Sequence, residues 1–194
     1  MPIMVSYGAG TNSTAMLVEM VRRGEHVDVI TFADTGGERE ETYQYLEMFS
    51  AWLVAHGMPE IIRVKKGGKV ETLEENCLRM NMLPSVAYGW KSCSLKFKVE
   101  PQEKFANNWP PARDVWAAGE KVIKCIGYDA GDLQRAKLDE DKKYRWRYPL
   151  IEWDMVVKSA SNPFVPSACR YRGKALAFSA PIARFPKSWR CRRS

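Results

Sequence analysis

Ile3-Met4-Val5-Ser6-Tyr7-Gly8-Ala9-Gly10-Thr11-Asn12-Ser13-Thr14-Ala15-Met16-Leu17 is the stretch on which the reading of the fold turns. Residues 2–6 read as a short buried strand. Beyond the glycine turn, Ala15, Met16, Leu17, Met20 and Val21 recur with helical period up to Gly24. A strand, a turn and a helix in that order open an α/β unit. Residues 27–33 are β-rich, Glu38 to His56 is an amphipathic helix ended by Gly57, and Glu60 to Val64 starts a third strand. Strands joined by crossover helices predict a parallel sheet with right-handed connections, whose ligands bind at the strands' carboxyl ends.

Further along, Val70 to Met80 has helical character and Phe97 to Trp109 is a helix candidate ended by Pro110-Pro111. Lys121 to Gly127 predicts a fourth strand and Tyr144 to Ile151 a fifth. Beyond Trp153 the periodicity weakens. The expected architecture is therefore a Rossmann-like five-stranded parallel sheet with helices on both faces, over residues 1–153, followed by an irregular extension over 154–194.

That extension is basic. Residues 155–194 hold nine Lys or Arg and no acid, and so account for the net charge of +7. Such a segment is an electrostatic footprint for phosphate-rich partners, nucleic acid foremost, and equally the composition of a solvated tail. With 194 residues and 45% hydrophobic composition, one compact domain is expected. No run approaches the length of a membrane span, and Met1 to Val5 is too short for a signal peptide, so a cytoplasmic protein without membrane contact is expected. Five cysteines at irregular spacing read as reduced thiols, and the two histidines, His26 and His56, as structural or solvated.

The glycine turn carries the chemistry. Glycines between a strand end and a helix start let the backbone approach a ligand, and the helix's free N–H groups favour an anion. Asn12, Ser13 and Thr14 add side-chain donors, any one of which could instead cap the helix. Three phosphate loops compete for this segment. A Walker A loop needs Lys before Ser or Thr, which is absent here. The dinucleotide fingerprint fits Gly8 and Gly10, with Ser13 in place of its third glycine and Asp34 near the position of a ribose-binding acid, which would imply NAD. The third is a pyrophosphatase loop, Ser-Gly-Gly-x-Asp-Ser, of which Gly8 to Ser13 looks like a variant preceded by Ser6.

Later motifs follow in the order of that third type. Asp34-Thr35-Gly36 and Glu41-Thr42 come after the second strand; Cys93, Lys98 and Pro101 reproduce a Cys-x-x-x-x-Lys-x-x-Pro spacing behind Lys91; Gly127 to Arg135 is similar to Gly-x-x-x-x-Glu-x-x-Arg, with Asp132 for the glutamate; and Tyr148 to Trp153 matches the next segment. In these features the chain resembles the phosphoadenosine phosphosulfate reductase-like branch of the adenine-nucleotide α-hydrolases.

The resemblance implies binding of ATP or a related adenine nucleotide with Mg²⁺, and cleavage at the α-phosphate with release of pyrophosphate. It implies nucleotide contacts from Ser6, Gly8, Gly10, Thr11, Asn12, Ser13, Thr14, Phe32, Asp34, Thr35, Lys91 and Gly127. Asn12, Ser13, Lys98 and Arg135 would serve the reaction, the cations acting on phosphate or sulfate oxygens, and Asp34 would help hold Mg²⁺. The acceptor would be an adenylate-forming group, with sulfur transfer to nucleic acid among the family's reactions, and a homodimer is compatible with the resemblance.

There are departures. Asn12 stands where the loop has aspartate. The C-terminal Glu-Cys-Gly-Leu-His element of the true reductases is missing, which disfavours sulfonucleotide reduction through Cys93 or Cys169. Pro166-Ser167-Ala168-Cys169 resembles a phage-type cysteine element, but Arg172 occupies the second cysteine's place, so no iron–sulfur cluster is expected. A nucleotide- or nucleic-acid-binding module without turnover therefore stands beside the enzyme.

Overall fold

The computed structural model describes residues 1–66, 72–81, 94–136 and 141–157, with the backbone of 169–171 and 174–175. Strand β1 (Ile3–Tyr7) leads through the glycine turn to helix α1 (Thr11–Arg23). There follow β2 (Val29–Asp34), α2 (Glu40–Ala55), β3 (Ile61–Lys65) and α3 (Leu73–Met80). A π-helical turn (Leu95–Val99) runs directly into α4 (Glu100–Asn108). Then come α5 (Pro110–Ala117), β4 (Val122–Ile126), a 3-10 segment (Ala130–Arg135), β5 (Tyr144–Arg147), α6 (Pro149–Glu152) and β6 (Met155–Val157).

The five-stranded sheet has the order β3-β2-β1-β4-β5, and every pairing is parallel. The expected Rossmann-like class is thus the observed one. Alternate residues of a strand face opposite sides, and the two cores divide accordingly. Val5, Tyr7, Ile30, Phe32 and Cys125 pack with α1 and α2, whereas Met4, Val29, Val122 and Tyr144 pack with Ala106 and Ala112 of α4 and α5.

Three elements differ from the sequence expectation. Pro110 and Pro111 do end α4, yet they also occupy the first turn of α5, where a missing N–H costs nothing. The fifth strand stops at Arg147 because Pro149 starts α6. Past Trp153, where regularity was expected to fade, β6 pairs antiparallel with Cys169–Tyr171 (β7), which pairs with Lys174–Ala175 (β8). The remainder of the basic extension lies outside the described residues. Among the described residues no helix is long and apolar enough to cross a membrane.

Candidate functional site

β1 sits at the centre of the sheet, and the chain turns from one side of it (β2, β3) to the other (β4, β5). The carboxyl ends of β1 and β4 therefore form the switch point, where open α/β sheets leave a crevice for ligands. The glycine turn and Gly127 occupy that position. Gly127 is pressed against the first turn of α1: a Cβ there would lie 2.6 Å from the Ser13 Cα and 2.8 Å from its N.

Within the turn, the backbone of Ala9 takes the left-handed conformation, φ 53°, which an alanine adopts at a cost of about 1 kcal/mol. Gly10 precedes the helix with φ −93° and ψ 170°, open to any residue, and no side-chain cap is present. An added Cβ at Gly10 would meet nothing within 4 Å. Protein packing does not demand glycine there, and its bareness leaves room for something else. Ser13, 8% exposed, shapes the turn: its Oγ donates to the Gly10 carbonyl at 3.1 Å and accepts from the Gly8 N–H at 3.4 Å. The first intrahelical bond runs from the Thr14 N–H to the Gly10 carbonyl. No described group accepts from the N–H groups of Thr11, Asn12 or Ser13, which are the helix's natural orphans. Among the described residues the side chains of exposed Thr11 and half-buried Asn12 have no partner either.

Other candidates are placed differently. The Ser6 hydroxyl donates to Gln102 Oε1 of α4 at 2.6 Å, because position 6 alternates away from the α1 face. Thr14 Oγ1 lies 3.0 Å from the Tyr7 hydroxyl and accepts from the Tyr45 hydroxyl at 3.4 Å. Burial first, and then the neighbouring Tyr45, hold the Tyr7 phenol well above its usual range, so this cluster stays protonated. Phe32 is a core residue on the α1 and α2 face, 3% exposed.

Asp34, 4% exposed, is fully engaged. Its Oδ1 accepts from the Gly36 N–H and the Tyr43 hydroxyl, both at 2.8 Å, and its Oδ2 faces Lys65 Nζ at 3.2 Å. Burial pushes its pKa up, but the Gly36 N–H, the Tyr43 hydroxyl and Lys65 outweigh it and leave the carboxyl below its ordinary value. This is a turn cap for Gly36, whose φ is 72°. Thr35 belongs to the same turn, its Oγ1 accepting from the Gly37 N–H at 3.4 Å. Both Asp34 oxygens are thus met by protein donors, and among the described residues no group of three His, Cys, Asp or Glu side chains is placed to hold a metal.

Of the cations, Lys98 is exposed on the π-helical turn. Its neighbours Lys66 and Lys96 lie 5.0 and 5.9 Å from the buried Phe97 ring. Lys91 and Cys93 fall outside the described residues. Arg135 ends the 3-10 segment, pairing with Asp132 at 3.3 Å and lying over the Tyr128 ring. Cys125, in the core, has its thiol pushed up to about 12 by burial.

No family model matches the chain, and no curated protein matches it. Among solved structures the chain is similar to one described as "Putative oxidoreductase from Escherichia coli str. K-12", at 15% identity and a TM-score of 0.35. The likeness covers 64% of this chain and 56% of that one, so the chain spans little more than half of that protein's length. A likeness of this size carries no functional argument.

A groove of about 580 Å³ lies elsewhere, between α2 and the edge strand β3. Leu46, Val54 and Ile61 line it and the Glu47–Arg63 pair, 3.2 Å apart, sits in its wall. Of its polar lining, Glu47 and Arg63 are paired with each other and Ser50 Oγ accepts from the Ile61 N–H at 2.9 Å. At the switch point, by contrast, three N–H groups and the side chains of Thr11 and Asn12 have no partner among the described residues, and a glycine follows each flanking strand.

Proposed function

We propose that the chain is an adenine-nucleotide-binding enzyme of the pyrophosphatase-loop kind, which cleaves its nucleotide at the α-phosphate. The observation that carries this reading is the uncapped N-terminus of α1 at the switch point, where the free N–H groups of Thr11 to Ser13 and the helix dipole favour bound phosphate. An acceptor oxygen would attack the α-phosphorus, the bond to the bridging oxygen would break, and pyrophosphate would leave with the electron pair. The protein's share is positioning and fixed donors for the departing charge. Asn12 donates to phosphate oxygens; Ser13 acts through the turn that it shapes. Because Asp34 is committed to its turn, no step is assigned to a metal held by protein side chains. The acceptor, with nucleic acid as a candidate through the basic extension, belongs to the same proposal, as does a cytoplasmic location.

A specific observation favours a second reading. Asn12 stands where the loop would carry aspartate and Asp34 is engaged by its own turn, so among the described residues of the turn no unengaged carboxylate is present, which suits a module that binds nucleotide without turnover.

Release of pyrophosphate and AMP from ATP, with Mg²⁺ and with or without DNA or tRNA, separates the two. Turnover is expected, reduced at least tenfold in Ser13→Ala, the scale of a lost positioning or oxyanion contact. Tight ATP binding without release under any condition would sink the enzyme in favour of the module.

A further inference from the structure

Tyr128 directly follows the glycine that touches α1, and it carries a feature that the phosphate cradle does not use. Its ring stacks on Tyr148, with centroids 5.8 Å apart and planes 8° from parallel. The Arg135 guanidinium lies over the same Tyr128 ring, 4.6 Å from its centroid, and Arg135 Nη1 donates to Asp132 Oδ1 at 3.3 Å. Despite both contacts the Arg135 side chain remains 57% exposed.

A solvated arginine ordinarily keeps its rotamer freedom, which binding must then take away. Here a ring and a carboxylate bias the planar cation toward one place before any ligand arrives. Asp132 also offsets part of the charge, which weakens the group as a plain phosphate clamp. A flat, delocalised and weakly hydrated cation with open surface is instead suited to stacking on an aromatic heterocycle. The cradle is adjacent, since Gly127 packs on the Ser13 backbone.

We propose that Arg135, steadied by Tyr128 and Asp132, is a stacking platform for a nucleobase at the carboxyl end of β4. The inference rests on phosphate binding at the glycine turn. The base belongs either to the nucleotide whose phosphates occupy that turn or to a strand presented as acceptor.

Calorimetric titration of the full chain distinguishes these sources. The probes are ATP, inorganic tripolyphosphate, and a short single-stranded oligonucleotide with its abasic counterpart. Arg135→Gln and Arg135→Lys are both expected to remove the base-dependent part of the affinity, roughly five- to 150-fold by the usual worth of one stacked base. Tripolyphosphate and the abasic strand should bind as they do to the unmodified protein. Loss on ATP alone assigns the base to the nucleotide, loss on the base-bearing strand alone assigns it to the acceptor, and loss on both places both over one platform. Equal weakening of every probe, full retention in Arg135→Lys, or no base-dependent affinity in the unmodified protein would overturn the platform. Failure of tripolyphosphate and ATP to bind at all would remove the phosphate reading as well, whereas tripolyphosphate binding without base preference removes the platform alone.

Discussion

At Gly127 the absence of a side chain is a packing requirement, and the atoms that impose it are backbone atoms of α1. A flexible side chain could swing aside; a helix's first turn cannot. Gly127→Ala is expected to cost about 1–3 kcal/mol of stability, the usual penalty of overpacking, and to weaken ATP binding by displacing the turn, as read by urea unfolding and by titration. Asp34 makes the complementary case. Its folded pKa lies below its ordinary value, so the stability it contributes is complete at neutral pH and is lost as pH falls through the carboxylate range. Asp34→Asn should cost about 1–3 kcal/mol at neutral pH, and its deficit against the unmodified protein should shrink below about pH 4. A deficit independent of pH would refute the assignment of charge to that turn. The sequence places both residues at strand ends, and it leaves open whether Asp34 caps a turn or meets a ligand. What the sequence could not show are the contacts that Gly36, Tyr43 and Lys65 make with it, since Lys65 comes from another strand.

The helix α1 was legible from its glycine turn and its apolar period, and it spans Thr11–Arg23 much as expected. What periodicity does not resolve is where each hydroxyl of its first turn points. Ser13 turns inward to the loop, while Thr14, one residue on and so about a quarter-turn round the helix, meets two tyrosines instead. Thr14→Val is therefore expected to lower stability by about 1–2 kcal/mol through the tyrosine hydroxyls it leaves short of a partner, with ATP affinity unchanged. A large loss of ATP affinity would return Thr14 to the cradle. Ser6 shows the same limit for a strand: it lies in the predicted phosphate segment, yet alternation turns it toward α4. The second role of Pro110-Pro111 was equally hidden, because a proline pair that stops one helix reads the same as one that starts the next.

Across the whole molecule the two apolar faces close over the sheet, and Cys125 lies in the core with a thiol that stays protonated at neutral pH. Native protein should resist iodoacetamide at Cys125, and mass spectrometry should find label there only as the protein unfolds in urea; rapid labelling of folded protein would contradict the packing. Arg147 ties β5 to Glu25 beyond the end of α1 and to Glu152 of α6, so Arg147→Met should lower stability by about 1–3 kcal/mol, between the values for exposed and buried pairs. The class of the sheet followed from the order of strands and helices along the chain. The 3-10 segment at Ala130–Arg135 did not, since its backbone is held by Asp129, which caps Gly131 and reaches Val157. The position of β1 at the centre of the sheet also sets a timetable. During synthesis β1, β2 and β3 emerge within the first 65 residues, but the second flank of β1 waits for β4 at Val122–Ile126, an exposed edge of the sort that invites wrong pairing. Gly127, the far wall of the cradle, arrives later still. Under the proposed function, a bound nucleotide would meet the complete turn only in a chain whose translation has passed that point, so its binding would favour the finished sheet over the half-built one.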